Sequence, residues 1–391
     1  MSMDTQIKTL FTPSAPISES TLFSGRSEQL NRINDAILER GKHVILFGER
    51  GVGKTSIANK VKNDNTQDKI CIYIFSSTNH TFNTMWKEIF EQITFQSSKQ
   101  STGFNAIIET VQRKFSDLID WDKEVSDNII LNTISYLSIP VIIIIDEFDK
   151  LNDDVKMRIS NIMKLFSDTG KNITMIIVGV ADDIQKLIAG HESIKRNIAE
   201  IKMPRMSIEE LAEILNSRLT TLNMTIDVNA KEKVVKLSQG LPEYIHAIGK
   251  GAAIYCNNRQ NNCITKDDVM NSIKEFIKIS DESYRLTYQK AVSSNQANTL
   301  FADVLLACAE VQCDDNGRFT QKSVVEPLSK IINRTMPIAG FQTHIAAFCT
   351  ESRGNILERN GKERSFRYRF AEPRMQIYVL MNGILSNKVQ W

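Results

Sequence analysis

The 391-residue sequence contains no long apolar run, no paired cysteines and almost no net charge. Its longest apolar run, residues 141–145, is far shorter than the ~20 residues that a membrane-spanning helix needs. The first 20 residues lack a basic region followed by an apolar one, so no signal peptide is predicted. We therefore expect a soluble, cytoplasmic protein with no membrane partner.

The six cysteines are scattered, and none stands in a Cys-x-x-Cys pair or at zinc-site spacing from a histidine. We expect them to be small buried side chains in a reducing compartment. The formal net charge is +2, from 48 basic and 46 acidic residues. A surface for nucleic acid, if present, must therefore be local.

Length and pattern together predict several domains. A chain of 391 residues exceeds the ~100–200 residues of a common domain, so two or three are expected. In the first half, short apolar runs alternate with helical patterns, and this arrangement favours a parallel sheet covered on both faces. The predicted fold class is α/β. The predicted strands are residues 44–47, 70–75, 141–145, 173–178 and 200–203. A predicted helix at 27–40 precedes them, and those between them include 55–62, 85–93, 107–119 and 155–166.

The second half changes character. From Ser207, which opens a capping box with Glu210, only helical patterns follow, without a strand. The last hundred residues combine three short helical patterns with an Asn360-Gly361 turn between two β-type runs, which indicates a hairpin. Helices followed by a hairpin predict a winged helix. The predicted division is a tail at 1–20, an α/β domain at 21–205, a small helical domain at 206–290 and a winged helix at 291–391.

The most specific motif is a phosphate-binding loop. Residues 48–55 read Gly-Glu-Arg-Gly-Val-Gly-Lys-Thr, a complete G-x-x-x-x-G-K-[ST] between an apolar strand and a helix. Backbone N–H groups of such a loop wrap phosphates, and the helix N-terminus adds a positive dipole. Lys54 is expected to reach the β- and γ-phosphates, and Thr55 to ligate Mg²⁺. The candidate nucleotide contacts are Gly48, Glu49, Arg50, Gly51, Val52, Gly53, Lys54, Thr55 and Ser56.

A second motif supplies acidic groups. Asp146 and Glu147 follow five apolar residues at the end of a predicted strand. Asp146 is expected to hold the magnesium, and Glu147 to orient or deprotonate the attacking water. A general base beside the γ-phosphate indicates hydrolysis, so phosphoryl transfer to water is the chemistry we assign. The cofactors are then ATP and Mg²⁺, and the protein is an ATPase.

These motifs give the chain a family resemblance. Phe23-Ser-Gly25-Arg26, the phosphate loop and Asp146-Glu147-Phe148-Asp149 together resemble the AAA+ ATPases of the Orc/Cdc initiator type, and their STAND and transposition-regulator relatives. The resemblance implies a P-loop αβα nucleotide-binding domain, a helical lid and a carboxyl-terminal winged helix, in that order. It also implies homo-oligomers. By the same resemblance, Phe23 and Arg26 contact the adenine and ribose.

Three further site expectations come from the resemblance. Arg196 is the best match to an arginine finger donated to a neighbouring subunit. The usual polar sensor after the fourth strand is replaced by a segment with Asp182, and the lid reads Gly240-Leu-Pro242 where initiators carry a sensor arginine. Pro242 is expected near the adenine, as in the STAND relatives. Without a lid arginine, a slow nucleotide-dependent switch is favoured over rapid turnover.

The predicted hairpin carries a local basic excess. Residues 351–374 hold seven Lys/Arg against four acids, a difference of +3. Strand alternation places the aromatic residues of 365–370 on one face and the arginines on the other. Arg364, Arg367 and Arg369 are therefore candidate DNA contacts. The alternative is a solvated hairpin face in a protein-binding module.

Two functions remain open on the sequence alone. The first is an ATP-dependent oligomeric switch that assembles on DNA and recruits or regulates a partner protein, such as a nuclease or transposase. The second is a STAND-like regulatory ATPase in anti-phage defence or transposition, whose winged helix binds protein and whose hydrolysis is slow. Replication initiation ranks third among the possible settings, because nothing in the hairpin specifies an origin sequence.

Overall fold

The computed structural model describes residues 2–13, 25–100, 108–180, 192–280, 282–294, 299–362 and 365–389. Its strands are β1 (His43–Gly48), β2 (Ile70–Phe75), β3 (Thr94–Gln100), β4 (Ile108–Lys114), β5 (Val141–Asp146), β6 (Ile173–Gly179), β7 (Ile198–Met203), β8 (Thr225–Ile226), β9 (Cys263–Ile264), β10 (Leu357–Asn360) and β11 (Arg367–Phe370). Its helices are α1 (Met3–Leu10), α2 (Ser27–Leu38), α3 (Lys54–Asp64), α4 (Phe82–Glu91), α5 (Asp127–Ile134), α6 (Asp153–Asp168), α7 (Ile208–Thr221), α8 (Val228–Leu237), α9 (Pro242–Asn258), α10 (Lys266–Ile279), α11 (Glu282–Val292), α12 (Phe301–Glu310), α13 (Gln321–Ile331), α14 (Gln342–Phe348) and α15 (Pro373–Leu385).

The central sheet confirms the predicted α/β fold. Five parallel strands lie in the order β2-β5-β6-β1-β7. Strands β5 and β6 are buried throughout, as continuous apolar runs in a doubly covered sheet should be. One hydrophobic cluster lies on each face. All five strands end at one edge of the sheet, and this edge carries the phosphate loop and the acidic pair.

The predicted helix at 107–119 is wrong. Residues 108–114 form β4, which pairs antiparallel with β3, and a short 3-10 helix, Phe115–Leu118, follows. Apolar residues four positions apart share a face of a helix, but because four is even they share a face of a strand too. The spacing therefore could not distinguish the two states.

The predicted absence of strands from the helical unit at 206–290 is also wrong in detail. Helices α7 to α10 are joined by a two-residue parallel pair, β8 with β9. The pair ties the start of α8 to the start of α10. The capping box at Ser207 is confirmed, with Glu210 N–H donating to the Ser207 hydroxyl at 3.2 Å.

The first residues pack on the helical unit. Residues 3–10, which the sequence predicts to lie in a tail, form helix α1. Ile7 and Phe11 are buried against α9, whose Gly249 leaves room for the Phe11 ring. The Thr12 N–H donates to Nδ1 of His246 at 3.2 Å. The segment contributes to the core rather than extending from it.

In the described part of the last hundred residues, helices α12 to α14 precede the β10–β11 hairpin. The hairpin turns at Asn360 and Gly361. The φ of Gly361 is 101°, a backbone conformation that glycine adopts without strain. Tyr368 and Phe370 are buried as the alternation predicts, and Phe319 forms a bridge to Tyr368. Helix α15, which the sequence analysis does not predict, follows and is almost wholly buried.

Among the described residues, no helix combines the length and apolar character needed to cross a membrane. The six cysteines are free thiols, and Cys256 and Cys308 are buried. Burial raises the pKa of the Cys308 thiol well above its usual value. These two thiols agree with the expectation of small buried side chains, whereas the other four are partly exposed.

Candidate nucleotide site

The phosphate loop leaves β1 and enters α3 through residues that need glycine. Gly51 and Gly53 have φ of 83° and 94°, a region that disfavours side chains. A Cβ on Gly48 would lie 2.3 Å from the carbonyl oxygen of Met203, at the end of β7. Backbone shape and close packing therefore explain the three glycines. The loop presents the N-terminus of α3, where backbone N–H groups favour phosphate.

Lys54 lies inside the loop. Its Nζ donates to the carbonyls of Gly48 and Glu49, at 3.0 and 2.8 Å, and only 9% of the residue is exposed. Burial lowers the pKa of Lys54 to about 8, although the nearby Asp146 carboxylate acts in the opposite direction. A buried ammonium whose partners are neutral carbonyls is well suited to bind a phosphate anion.

Asp146 joins the loop to the sheet. Its Oδ2 accepts hydrogen bonds from the Thr55 hydroxyl at 2.8 Å and from the Tyr73 hydroxyl at 2.7 Å. Its Oδ1 accepts from the backbone N–H of Glu147 at 2.8 Å. The structure thus brings the predicted pair Thr55 and Asp146 together. Tyr73 was not predicted as a site residue, because its only signal in the sequence is a hydroxyl inside an otherwise apolar strand.

Glu147 lies at the turn after β5, in a left-handed conformation with φ of 55°. Its carboxylate is 45% exposed and accepts a hydrogen bond from Lys150 Nζ at 2.5 Å. Two residues on, Asp149 accepts from the backbone N–H of Val180, which ties this turn to the end of β6. The carboxylate of Glu147 is therefore accessible at the same sheet edge as the phosphate loop.

The arrangement fits a magnesium ion held chiefly by a nucleotide. The Thr55 hydroxyl and the Asp146 carboxylate are adjacent hard oxygen donors, as Mg²⁺ prefers. Among the described residues, no group of three or more His, Cys, Asp or Glu could form a metal cage. Magnesium at phosphoryl-transfer sites needs only one or two protein oxygens, because phosphates and water supply the rest.

Arg26 lies deep beside the loop, at φ of 62° and 3% exposure. Its Nη2 donates to the carbonyls of Val52 and Pro204, at 3.2 and 2.5 Å. The Arg26 N–H donates to Oε1 of Glu210 at 3.0 Å. Arg26 therefore connects the phosphate loop to the segment that enters α7. Its contact with adenine stays a prediction, and Phe23 lies outside the described residues.

The Gly240-Leu-Pro242 segment lies next to the loop. Pro242 is the first residue of α9, and its Cγ is 3.9 Å from where a Cβ on Gly53 would lie. A Cβ on Gly51 would lie 3.7 Å from Leu241 Cδ2. The structure thus brings Pro242 to the phosphate loop.

Glu49 makes a contact that the sequence analysis missed. Its carboxylate forms a bidentate ion pair with Arg205, with Nε to Oε2 at 2.7 Å and Nη2 to Oε1 at 3.0 Å. Both side chains are nearly buried, at 7% and 10% exposure. Arg205 Nη1 also donates to the Gln239 carbonyl and to Gln376 Oε1. No spacing in the sequence indicates these partners. Glu49 lies 156 residues from Arg205 along the chain, and Gln376 lies 171 residues from it.

The remaining loop residues are less constrained. Arg50 is exposed at the tip of the loop, and Ser56 is half-buried in the first turn of α3. Arg196 is exposed and precedes β7, at the sheet edge opposite the phosphate loop. It therefore lies apart from this chain's own site. Asp182 lies outside the described residues.

The hairpin arginines are engaged within the molecule. Arg367 donates to Asp314 at 3.3 Å, and Arg369 donates to Glu358 at 2.8 Å. Arg364 lies outside the described residues. A groove of about 730 Å³ runs between the hairpin and α13 and α14. Its polar and basic lining includes Gln321, Lys322, Gln342, Thr343, Arg359 and Arg367.

Comparison with known proteins agrees with this geometry. Residues 37–188 match the family described as an AAA domain. No curated protein matches the chain.

Among solved structures, a Walker-type ATPase of Pyrococcus abyssi is similar, with a TM-score of 0.54 and 14% identity over 95% of this chain and 99% of that one. Cdc6p of Pyrobaculum aerophilum has a TM-score of 0.50 and 14% identity, over 98% and 99% of the two chains. Orc1 of Aeropyrum pernix, solved in complex with DNA, has a TM-score of 0.50 and 14% identity over 98% of each chain.

Proposed function

We propose that this chain binds ATP and hydrolyses it to ADP and phosphate. The premise is that it carries an AAA domain of the P-loop ATPase type in an Orc/Cdc6-like fold. The observation that carries the proposal is that Lys54 and Thr55 of the phosphate loop lie beside Asp146, the last residue of β5, at the carboxyl edge of the sheet. Phosphate loops of this kind bind nucleotides at that edge. Nucleotide state then controls assembly with other subunits.

Each residue has a definite task in this reaction. The N–H groups of the loop bind the phosphates, and Lys54 exchanges its carbonyl partners for β- and γ-phosphate oxygens. Thr55 and Asp146 would hold the magnesium, and the ion would supply positive charge that offsets the charge of the phosphates. Glu147 leaves Lys150 and accepts the hydrogen bond of the attacking water, which it orients or deprotonates.

Assembly completes the site. Arg196 is exposed at the edge of the sheet away from its own phosphate loop, as an arginine donated to a neighbouring nucleotide must be. We propose a homo-oligomer in which Arg196 stabilises charge on the neighbouring subunit's γ-phosphate. Helices α12 to α14 with the hairpin serve as a winged helix that contacts DNA, and the assembled protein recruits a partner. The DNA contact, though not the other parts of this proposal, is supported by the similar fold of A. pernix Orc1, which was solved in complex with DNA.

The experiment is a Glu147→Gln variant. It keeps the size and hydrogen-bonding capacity of the side chain but cannot accept a proton. We expect ATP affinity within about threefold of the natural protein and phosphate release lowered by at least ~100-fold. Lys150→Gln is the matched control, because it removes the partner of Glu147 and should leave hydrolysis in place. Undiminished phosphate release by Glu147→Gln would contradict the site assignment.

A STAND-like regulator is the second candidate. Two observations favour it: Pro242 lies beside the phosphate loop, and Arg367 and Arg369 already have acidic partners in the molecule. In this case the carboxyl-terminal residues bind protein, and hydrolysis is slow. Titration with duplex DNA at low salt, with and without ATP, separates the two. An increase in ATPase rate and oligomer size on DNA favours the first, and no response to DNA favours the second.

A further inference from the structure

Four separate segments meet at the side chain of Arg205. Its guanidinium holds Glu49 of the phosphate loop, the Gln239 carbonyl before α9, and Gln376 of α15. Gln376 is 1% exposed and donates in turn to the Ala309 carbonyl, at the end of α12. A buried network of this kind fixes the relative position of every segment that enters it.

The loop before α13 packs against the same ion pair. Gly317 has φ of 69°, and a Cβ there would lie 2.6 Å from Glu49 Oε1 and 2.8 Å from Arg205 Nη2. An exposed ion pair nearby, Lys202 with Asp315 at 3.5 Å, joins β7 to the same loop. The carboxyl-terminal residues therefore touch the phosphate loop through the side chain of Glu49.

Glu49 is held at both ends. Its carbonyl accepts from Lys54, and its carboxylate accepts from Arg205. A phosphate that draws Lys54 away removes the partner of the carbonyl, and the backbone of Glu49 is then free to shift. Bidentate pairing of a guanidinium with a carboxylate demands a fixed geometry, so a shift at Glu49 strains the contact with Arg205.

We propose that Glu49, Arg205 and Gln376 form a positioning relay through which nucleotide binding loosens the packing of α12 and α15 against the phosphate loop. The relay rests on the proposed function, since it requires a nucleotide at Lys54. Coupling between two equilibria is reciprocal: if nucleotide loosens the packing by some factor, loosening the packing tightens nucleotide binding by the same factor. None of the three residues needs to take part in the chemical step.

The test uses the full chain with ADP and Mg²⁺ as the probe. Hydrogen exchange reports on Pro373–Leu385, and a fluorescent ADP analogue reports the dissociation constant. In the natural protein, we expect ADP to speed exchange in this helix at least threefold. In Gln376→Leu, exchange should already be fast without ADP, and ADP should bind about three- to tenfold more tightly.

Gly317→Ala perturbs the relay from outside, because its Cβ would crowd Oε1 of Glu49 and Nη2 of Arg205, which share a hydrogen bond. It provides the second test if Gln376→Leu fails to fold. It should show the same faster exchange and tighter ADP binding. Lys202→Gln is the matched control, because it breaks an exposed ion pair between the same segments and should change both readings less than twofold.

Two results separate failure of the relay from failure of the proposed function. ADP binding without any change in exchange at Pro373–Leu385, or unaltered ADP affinity in both Gln376→Leu and Gly317→Ala, would overturn the relay and leave the ATPase proposal intact. A natural protein that binds neither ADP nor ATP, or whose binding survives Lys54→Met, would overturn the ATPase proposal and the relay with it.

Discussion

At the scale of single residues, Asp146 is the side chain on which the candidate site depends. Its two oxygens accept from Thr55, Tyr73 and the Glu147 N–H, so the carboxylate is fixed before any ion arrives. The Tyr73 hydroxyl faces this carboxylate, and burial together with the charge of Asp146 raises the pKa of Tyr73 far above its usual value. Tyr73 therefore stays protonated and acts only as a donor.

Removal of this donor gives a prediction. Tyr73→Phe leaves Asp146 less well oriented, and loss of such an outer hydrogen bond typically weakens metal binding by about tenfold or more. We expect the Mg²⁺ concentration for half-maximal ATPase activity to rise about tenfold, with ADP affinity in the absence of Mg²⁺ unchanged. Magnesium titrations at saturating ATP measure the first quantity. Equal magnesium dependence in Tyr73→Phe and the natural protein would show that the hydroxyl has only a packing role.

Lys54 gives a pH prediction. Because burial lowers its pKa to about 8, the free protein loses the charge of Lys54 as the pH rises through that value. Only the charged form attracts phosphate, so nucleotide affinity should fall above pH 8, approaching about tenfold per pH unit. Dissociation constants measured from pH 7 to 9.5 test this. Lys54→Arg cannot lose its proton in this range and should give a flat profile.

At the scale of elements, His43 joins β1 to two neighbours. Its Nε2 donates to the Met163 carbonyl in α6 at 2.8 Å, and its Nδ1 accepts from the Met175 N–H in β6 at 3.0 Å. Protonation would place a second N–H against the N–H of Met175. Burial lowers the pKa of His43 to about 4, against 6.5 for an ordinary histidine, so the folded protein keeps the ring neutral.

The sign of the resulting pH dependence follows. Between pH 6.5 and 4 the unfolded chain binds a proton at this residue and the folded chain does not, so stability falls as the pH is lowered. We expect His43 to account for on the order of 1–2 kcal/mol of the loss between pH 7 and 5. Urea unfolding at both pH values measures it. His43→Gln offers a donor and an acceptor but does not titrate, and an equal loss in that variant would refute the assignment.

The elements that the sequence predicts best are those with a single possible reading. Five consecutive apolar residues followed by Asp146 are too few for a typical helix and fit a buried strand, and the loop glycines favour a turn. Residues 107–119 were ambiguous because their spacing suits a strand as well as a helix. Helix α1 was not predicted, because its apolar residues are few and are buried only by contact with α9, far away in the sequence.

At the scale of the whole molecule, the proposed oligomer makes a complementation experiment possible. Arg196→Ala keeps its own nucleotide loop but cannot stabilise charge on its neighbour, so hydrolysis should fall by ~100-fold or more. Lys54→Met binds no nucleotide yet retains Arg196. Mixing the two inactive variants should restore part of the activity, because the intact loop of one then meets the intact arginine of the other.

Phosphate release from the mixture, compared with each variant alone, measures the complementation. Lys195→Ala, which alters the adjacent exposed cation and leaves Arg196 in place, is the control and should keep most of the activity. A mixture no more active than its components would contradict the assignment of Arg196 as the finger.

The long-range contacts mark the limit of the sequence analysis. The nucleotide loop was recognisable because its function lies in eight consecutive residues. Arg205 was not, because its partners Glu49, Gln239 and Gln376 come from segments that only the folded chain brings together. A surface arginine and a buried one look alike in a sequence, and only the acidic and amide groups around it reveal which it is.

The apolar cluster on one face of the sheet has a further consequence. It runs without interruption from Val44 and Leu46 in β1, through Leu215 in α7, to Leu306 and Ile384 near the end of the chain. Opening one of these regions exposes apolar surface of the others to water, so we expect their unfolding to be coupled. The sequence divides into three predicted units, and this cluster has members in all of them. In a fragment ending near residue 205, the part of this cluster that remains would lose its partners from later in the chain and become more exposed to water.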